Sequence, residues 1–169
     1  MILPKTKTPS LDIKLINGSK WSLENQKAPK YTLITFYRGL HCPVCKKQLE
    51  NLSDKLESFV EKGVNVIAVS MDSEKRAKIS GEEWNVDGLP IGYEMSEEKA
   101  REWGLYISKA ISDKEPSKFS EPGMFLIDKD QKLYFSSVQT MPFARPDYKD
   151  ILNAIDFIEK KDYPPRGEN

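Results

Sequence analysis

Residues 31–70 read YTLITFYRGLHCPVCKKQLENLSDKLESFVEKGVNVIAVS, and the changes of period within them decide the fold. Residues 31–37 are rich in β-branched and aromatic side chains, the composition of a buried strand. Residues 38–41 make a turn. From Pro43 onward Cys45, Leu49, Leu52, Leu56, Phe59 and Val60 recur at steps of three and four. That spacing predicts one amphipathic helix, with Pro43 in the first turn, where a missing N–H does no harm. Lys62-Gly63 supplies a stop, and residues 64–70 return to buried-strand composition. Strand, helix and strand in succession make a βαβ unit with parallel strands.

Working outward, residues 11–16 and 20–23 read as short strands about the turn Asn17-Gly18. Residues 73–84 read as a helix whose end Gly81 weakens, 89–93 as a strand, and 96–103 as a helix capped by Ser96. Residues 109–120 are polar and contain a proline, which predicts a loop. Residues 124–127 and 132–138 flank a turn at 128–131 and predict an antiparallel hairpin. Residues 147–160 form the last predicted helix, with Ile151, Leu152, Ile155, Phe157 and Ile158 inward. Residues 162–169 are a polar, proline-rich tail. With no repeat or long linker, residues 1–169 read as one domain.

Apolar residues make up 38% of the chain and charged residues 31%, with zero net charge. Such balance leaves no footprint for nucleic acid or an acidic membrane surface. No apolar run approaches the roughly 20 residues of a membrane span, and the N-terminus has no apolar core of a secretory signal. The expected location is cytoplasmic.

The chain has two cysteines and one histidine, all within His41-Cys42-Pro43-Val44-Cys45. A three-residue step staples almost nothing, so a structural disulfide framework is excluded. Structural zinc requires about four ligands, which leaves only a site shared between subunits. C-x-x-C beside a βαβ pattern points to thiol redox chemistry, and Cys42–Cys45 is the expected redox disulfide. Cys42 at the N-cap and Cys45 in the first turn both gain from unpaired N–H groups and the helix dipole, which favour thiolate. The apolar stripe makes Cys45 the less exposed of the two. Arg38, Lys46 and Lys47 add positive charge nearby.

Phe36-Tyr37-Arg38-Gly39-Leu40-His41-Cys42-Pro43-Val44-Cys45 resembles the active-site loop of peroxiredoxins, P-x-x-x-T-x-x-C. Counted back from Cys45, the threonine position holds Cys42 and the proline position holds Arg38. The segment is similar to an atypical, peroxiredoxin-like branch of the alkyl hydroperoxide reductase/thiol-specific antioxidant (AhpC/TSA) family. Met141-Pro142-Phe143-Ala144-Arg145 resembles that family's L-P-x-G-R segment, with alanine in place of glycine. Glu121-Pro122-Gly123-Met124-Phe125-Leu126-Ile127-Asp128 resembles the strand entered through a cis-proline in thioredoxins. The likeness extends from about Pro9 to Ile158.

The resemblance implies a thioredoxin-like α/β fold: a central mixed β-sheet flanked by helices, with an N-terminal β extension and a peroxiredoxin-type insert. It implies a thiol-dependent peroxidase reducing hydrogen peroxide or organic hydroperoxides. Cys45 would be peroxidatic, Cys42 resolving, and Arg145 would stabilise thiolate and peroxide. Arg38, His41 and Pro122 would support the substrate site, with the Glu121–Pro122 bond cis. No metal or organic cofactor is implied. The expected partners are a peroxide and a thiol reductant, thioredoxin-like or small, and chains of this family often pair as homodimers.

Other readings stand beside this one. In a thiol–disulfide oxidoreductase the roles reverse, Cys42 attacking and Cys45 resolving. A redox sensor would form the disulfide without turnover. His41 has a plain reading as a loop histidine, Arg38 as a surface ion pair, and Arg145 as a partner of Asp147 or Asp150. Trp84 and Trp103 read as packing residues.

Overall fold

The computed structural model describes residues 1–167; the end of the predicted tail, Glu168 and Asn169, lies outside the described residues. At the centre is β3 (Tyr31–Phe36), buried along its whole length. It pairs in parallel with β4 (Val64–Val69), from Tyr31 opposite Val64 to Phe36 opposite Val69. On its other side it pairs antiparallel with β8 (Gly123–Asp128), which continues into β9 (Leu133–Val138). β1 (Asp12–Leu15), β2 (Lys20–Ser22) and β5 (Ile91–Tyr93) extend the sheet beyond β4. The order is β2-β1-β5-β4-β3-β8-β9. This is the expected mixed sheet of a thioredoxin-like fold, with β1 and β2 as its N-terminal extension.

Alternate residues of a strand face opposite sides, so each central strand feeds two cores. On one face Leu33, Val66 and Leu126 meet α1 (Pro43–Asp54), α2 (Leu56–Glu61) and α5 (Tyr148–Lys161). On the other, Ile34, Ile67 and Ile127 meet Trp21 and α4 (Glu97–Glu102). Trp103 packs its ring 5.4 Å from Phe36 and 5.1 Å from Phe125. α3 (Glu74–Glu83) runs between β4 and β5, capped by Ser73, which accepts from the Arg76 amide. A Cβ on Gly81 of α3 would lie 2.5 Å from Ile16 Cδ1; there glycine permits close approach.

Three expectations need correction. The long helix after Pro43 breaks at Lys55, so α1 and α2 are separate and Val60 is 66% exposed. Phe157 is 52% exposed, because α5 buries a narrower stripe than its apolar content suggested. The polar stretch 109–120 is not all loop: its ends join β6 (Ile107–Lys109) and β7 (Lys118–Ser120) in a two-stranded sheet. Burial of Phe119 and Ser120 holds β7 down, a long-range contact that local polarity conceals.

Candidate active site

The redox loop lies between β3 and α1, at the C-terminal end of two parallel strands. Gly39 has φ +138°, and a Cβ there would come within 2.6 Å of Asp72 Oδ1. That carboxylate, fully buried just after β4, accepts from the Leu40 amide at 2.8 Å and pairs with Arg76 Nε at 3.2 Å. Asp72 therefore holds the loop from an element 32 residues away in sequence.

Cys42 is the N-cap of α1, and its Sγ accepts from the Cys45 amide at 3.2 Å. Pro43 occupies the first turn, as expected. The two cysteines are joined as a disulfide, with Cα atoms 5.2 Å apart. Their expected inequality in exposure is absent: Cys42 is 1% exposed and Cys45 0%, because the loop before α5 covers both.

Arg145 is the cover. Its Nη2 lies 3.1 Å from Cys45 Sγ and 3.7 Å from Cys42 Sγ. Nε donates to the Pro142 carbonyl at 2.7 Å and Nη1 to Gln48 Oε1 at 2.5 Å. Burial lowers the guanidinium pKa to about 10, which still leaves it charged near neutrality. Asp147 instead caps α5 by accepting from the Lys149 amide. Beneath Arg145, the hydroxyls of Thr35 and Tyr148 share a buried hydrogen bond of 2.8 Å. Burial, chiefly, raises the Tyr148 pKa, so this hydroxyl stays neutral.

Arg38 and His41 gather on a different element, the ring of Phe119. The Arg38 guanidinium stands 4.6 Å over that ring, and Nε is 3.1 Å from Glu121 Oε2. Glu121 is 3% exposed and also accepts from Ser108 Oγ at 2.7 Å. Arg38 is thus part of a buried pair rather than a surface one. The His41 ring centroid is 4.6 Å from that of Phe119, and neither ring nitrogen has a hydrogen-bond partner among the described residues. Desolvation lowers its pKa, partly opposed by Asp72.

Pro122 departs from expectation. Among the described residues no peptide bond is cis, so Glu121–Pro122 is trans. The chain runs extended from β7 into β8, with the Glu121 amide donating to Tyr106 and the Pro122 carbonyl accepting from Gln139. The intrinsic preference for trans, about 0.5 to 1 kcal/mol, meets no opposing demand there. Among the described residues no cluster of three or more His, Cys, Asp or Glu could hold a metal ion.

A buried C-x-x-C at a helix start under an arginine can be compared with known proteins. The AhpC/TSA family profile matches residues 4–136. The chain belongs to the AhpC/TSA family. It is 27% identical over 135 residues to a Mycobacterium tuberculosis protein named as a peroxiredoxin, covering 78% of this chain and 82% of that one. The fold resembles the crystal structure of peroxidoxin BcpB from the same organism, with TM-score 0.76 and 16% identity over 94% of this chain and 99% of the other. It also resembles Enterococcus faecalis AhpC, with TM-score 0.76 and 17% identity over 99% and 100% of the two chains. As an AhpC/TSA member, the chain is a peroxidase-type oxidoreductase. Arg145 lies beyond the matched residues, so its place at the sulfurs is a matter of geometry.

The amino-acid pattern places Asp72 after a strand end near the site without giving it a role, and it gives none to Gln48, Glu121 or Phe119. Gln48 had a local signal, three residues after Cys45 on the same side of a helix. Asp72 stands just after β4, Phe119 in β7 and Glu121 just after β7, and nothing local says what any of them contacts.

Proposed function

We propose that this chain is a thiol-dependent peroxidase in which Cys45 attacks and Cys42 resolves. The observation that carries the assignment is the position of Arg145, closer to Cys45 Sγ than to Cys42 Sγ. The Cys45 thiolate attacks one peroxide oxygen, and the O–O bond breaks. The departing hydroxide or alkoxide takes up a proton, and Cys45 becomes a sulfenic acid. Arg145 donates to the sulfur and to the developing oxyanion. The Cys42 thiol then displaces water from the sulfenic acid and forms the disulfide. Two thiol equivalents from a reductant restore the dithiol.

His41 and Arg38 support the substrate side through Phe119, and trans-Pro122 fixes the β7–β8 connection. We place the activity in one domain spanning residues 1–169, in the cytoplasm, with a thioredoxin-like or small thiol as reductant and a homodimer as the assembly. No helix among the described residues is long and apolar enough to cross a membrane.

A second reading has its own support. The Cys45 amide donates to Cys42 Sγ, and this stabilises a Cys42 thiolate, as a thiol–disulfide oxidoreductase requires. The shorter contact of Arg145 with Cys45 Sγ, 3.1 Å against 3.7 Å to Cys42 Sγ, favours the first reading.

The two separate in one experiment. Reduced Cys42→Ser and Cys45→Ser variants receive stoichiometric peroxide, and sulfenic acid is trapped with a dimedone-type reagent. Peroxidase chemistry gives rapid trapping at Cys45 in the first variant and none in the second. Trapping at Cys42 alone, with fast reduction of a protein disulfide, reverses the roles.

A further inference from the structure

Beside the redox pair lies a groove of about 400 Å³. One wall is a stripe of α1, where Val44, Lys47, Gln48 and Asn51 follow at helical spacing. The facing wall is the Arg145 loop, with Phe143 61% exposed, and the start of α5. Arg145 and Gln48 belong both to the groove and to the clamp on the sulfurs, so the groove runs up to the residues that cover the buried redox pair. From Val44 to Asn51 the helix advances about 10 Å.

Cations and donors dominate the polar groups of this groove. Lys47 makes no ion pair among the described residues. Asn51 Oδ1 already accepts from Lys55 Nζ at 2.6 Å, which leaves Asn51 its N–H donors to offer. Asp147 is the carboxylate on the lining, and it is engaged in capping α5. Arg145 meets a carbonyl, an amide oxygen and two sulfurs, and no carboxylate. Between these polar ends, Val44 and Phe143 offer apolar surface.

We propose that the groove selects hydroperoxides that carry a carboxylate. The hydroperoxide end meets Arg145, the cover of the sulfurs, an aliphatic chain lies against Val44 and Phe143, and the carboxylate meets Lys47 and Asn51. The proposal rests on the peroxidase reading, and deepens it by naming a substrate class and Lys47 as a specificity residue.

Two measurements test it, one independent of turnover. In the first, octanoate and 1-octanol are titrated into the disulfide form of the full chain. Octanoate is expected to bind about three- to fivefold tighter, the upper size of an exposed charge attraction, with a preference that salt weakens and Lys47→Glu abolishes. In the second, rate constants are compared for a carboxylate-bearing and a neutral alkyl hydroperoxide of equal length. Lys47→Glu lowers their ratio about tenfold, whereas Lys46→Glu, off the groove, leaves the ratio as it was. Equal binding of octanoate and octanol, or a ratio unmoved by Lys47→Glu, overturns the proposal. A wild-type chain that consumes no hydroperoxide overturns the peroxidase reading and the substrate assignment with it, while the octanoate titration still reports on the groove alone.

Discussion

Replacing Gly39 with alanine puts a methyl group where Asp72 already stands. The new Cβ would lie 2.6 Å from Asp72 Oδ1 and 2.8 Å from Cγ, both on a fully buried side chain. Two terms follow. The backbone at φ +138° is one that an L-residue rarely adopts, which costs about 1 to 3 kcal/mol. Asp72 must also retreat from the Leu40 amide, now 2.8 Å away, and a hydrogen bond to a charged acceptor is worth about 1.5 to 3 kcal/mol. Together these give a destabilisation of about 2.5 to 6 kcal/mol. Gly18→Ala is the matched control, because Gly18 has φ +89° and nothing within 4 Å of its would-be Cβ. Strain alone predicts about 1 to 2 kcal/mol there. Urea unfolding followed by the fluorescence of buried Trp84 and Trp103 measures both. In an Asp72→Ala background the collision is gone, and the effect of Gly39→Ala should shrink toward that of the control, a coupling of about 2 kcal/mol. Equal effects of Gly39→Ala and Gly18→Ala, or no coupling to Asp72, would refute the claim that Asp72 pins the redox loop.

Three further outcomes follow from the site. Arg145→Ala should lower the rate of Cys45 oxidation by peroxide about 100- to 1,000-fold, measured by stopped-flow fluorescence; an unchanged rate removes Arg145 from the mechanism. Thr35→Val and Tyr148→Phe each leave a buried hydroxyl or its site unmatched and should cost about 1 to 3 kcal/mol. Their double variant should cost less than the two effects added, since neither partner then lacks a bond. His41 has its pKa lowered by desolvation, so the unfolded chain binds its proton first as pH falls. Its contribution to stability is complete above the unfolded value near pH ~6.5 and is lost progressively below it. Urea midpoints between about pH 7 and about pH 5 should therefore fall less in His41→Phe than in wild type; equal slopes would show that His41 is protonated as readily in the fold as outside it.

The parts of this protein whose physics is local can be read from its residues alone. The composition of residues 31–37 and 64–70 and the three-and-four spacing after Pro43 specified the βαβ unit. The Cys42–Cys45 step fixed one redox pair at a helix start, because N-cap geometry extends over only four residues. Arg145 was legible as a candidate through its P-x-x-R segment, although spacing alone could not say which sulfur it meets. The break at Lys55 and the exposure of Val60 and Phe157 were hidden, since the apolar pattern shows which residues are suited to burial and not how wide the covered stripe is. Only tertiary structure decided what surrounds the pair. Asp72 grips Leu40 from beyond β4, Glu121 neutralises Arg38 from the end of β7, and Phe119 brings Arg38 and His41 together. Each of these contacts joins residues more than thirty apart. No local period encodes such a pairing, and the sheet order creates it by bringing β4 and β8 to either side of β3. The trans bond at Pro122 keeps the intrinsic preference, in a segment that bonds to Tyr106 and Gln139 on neighbouring stretches of chain.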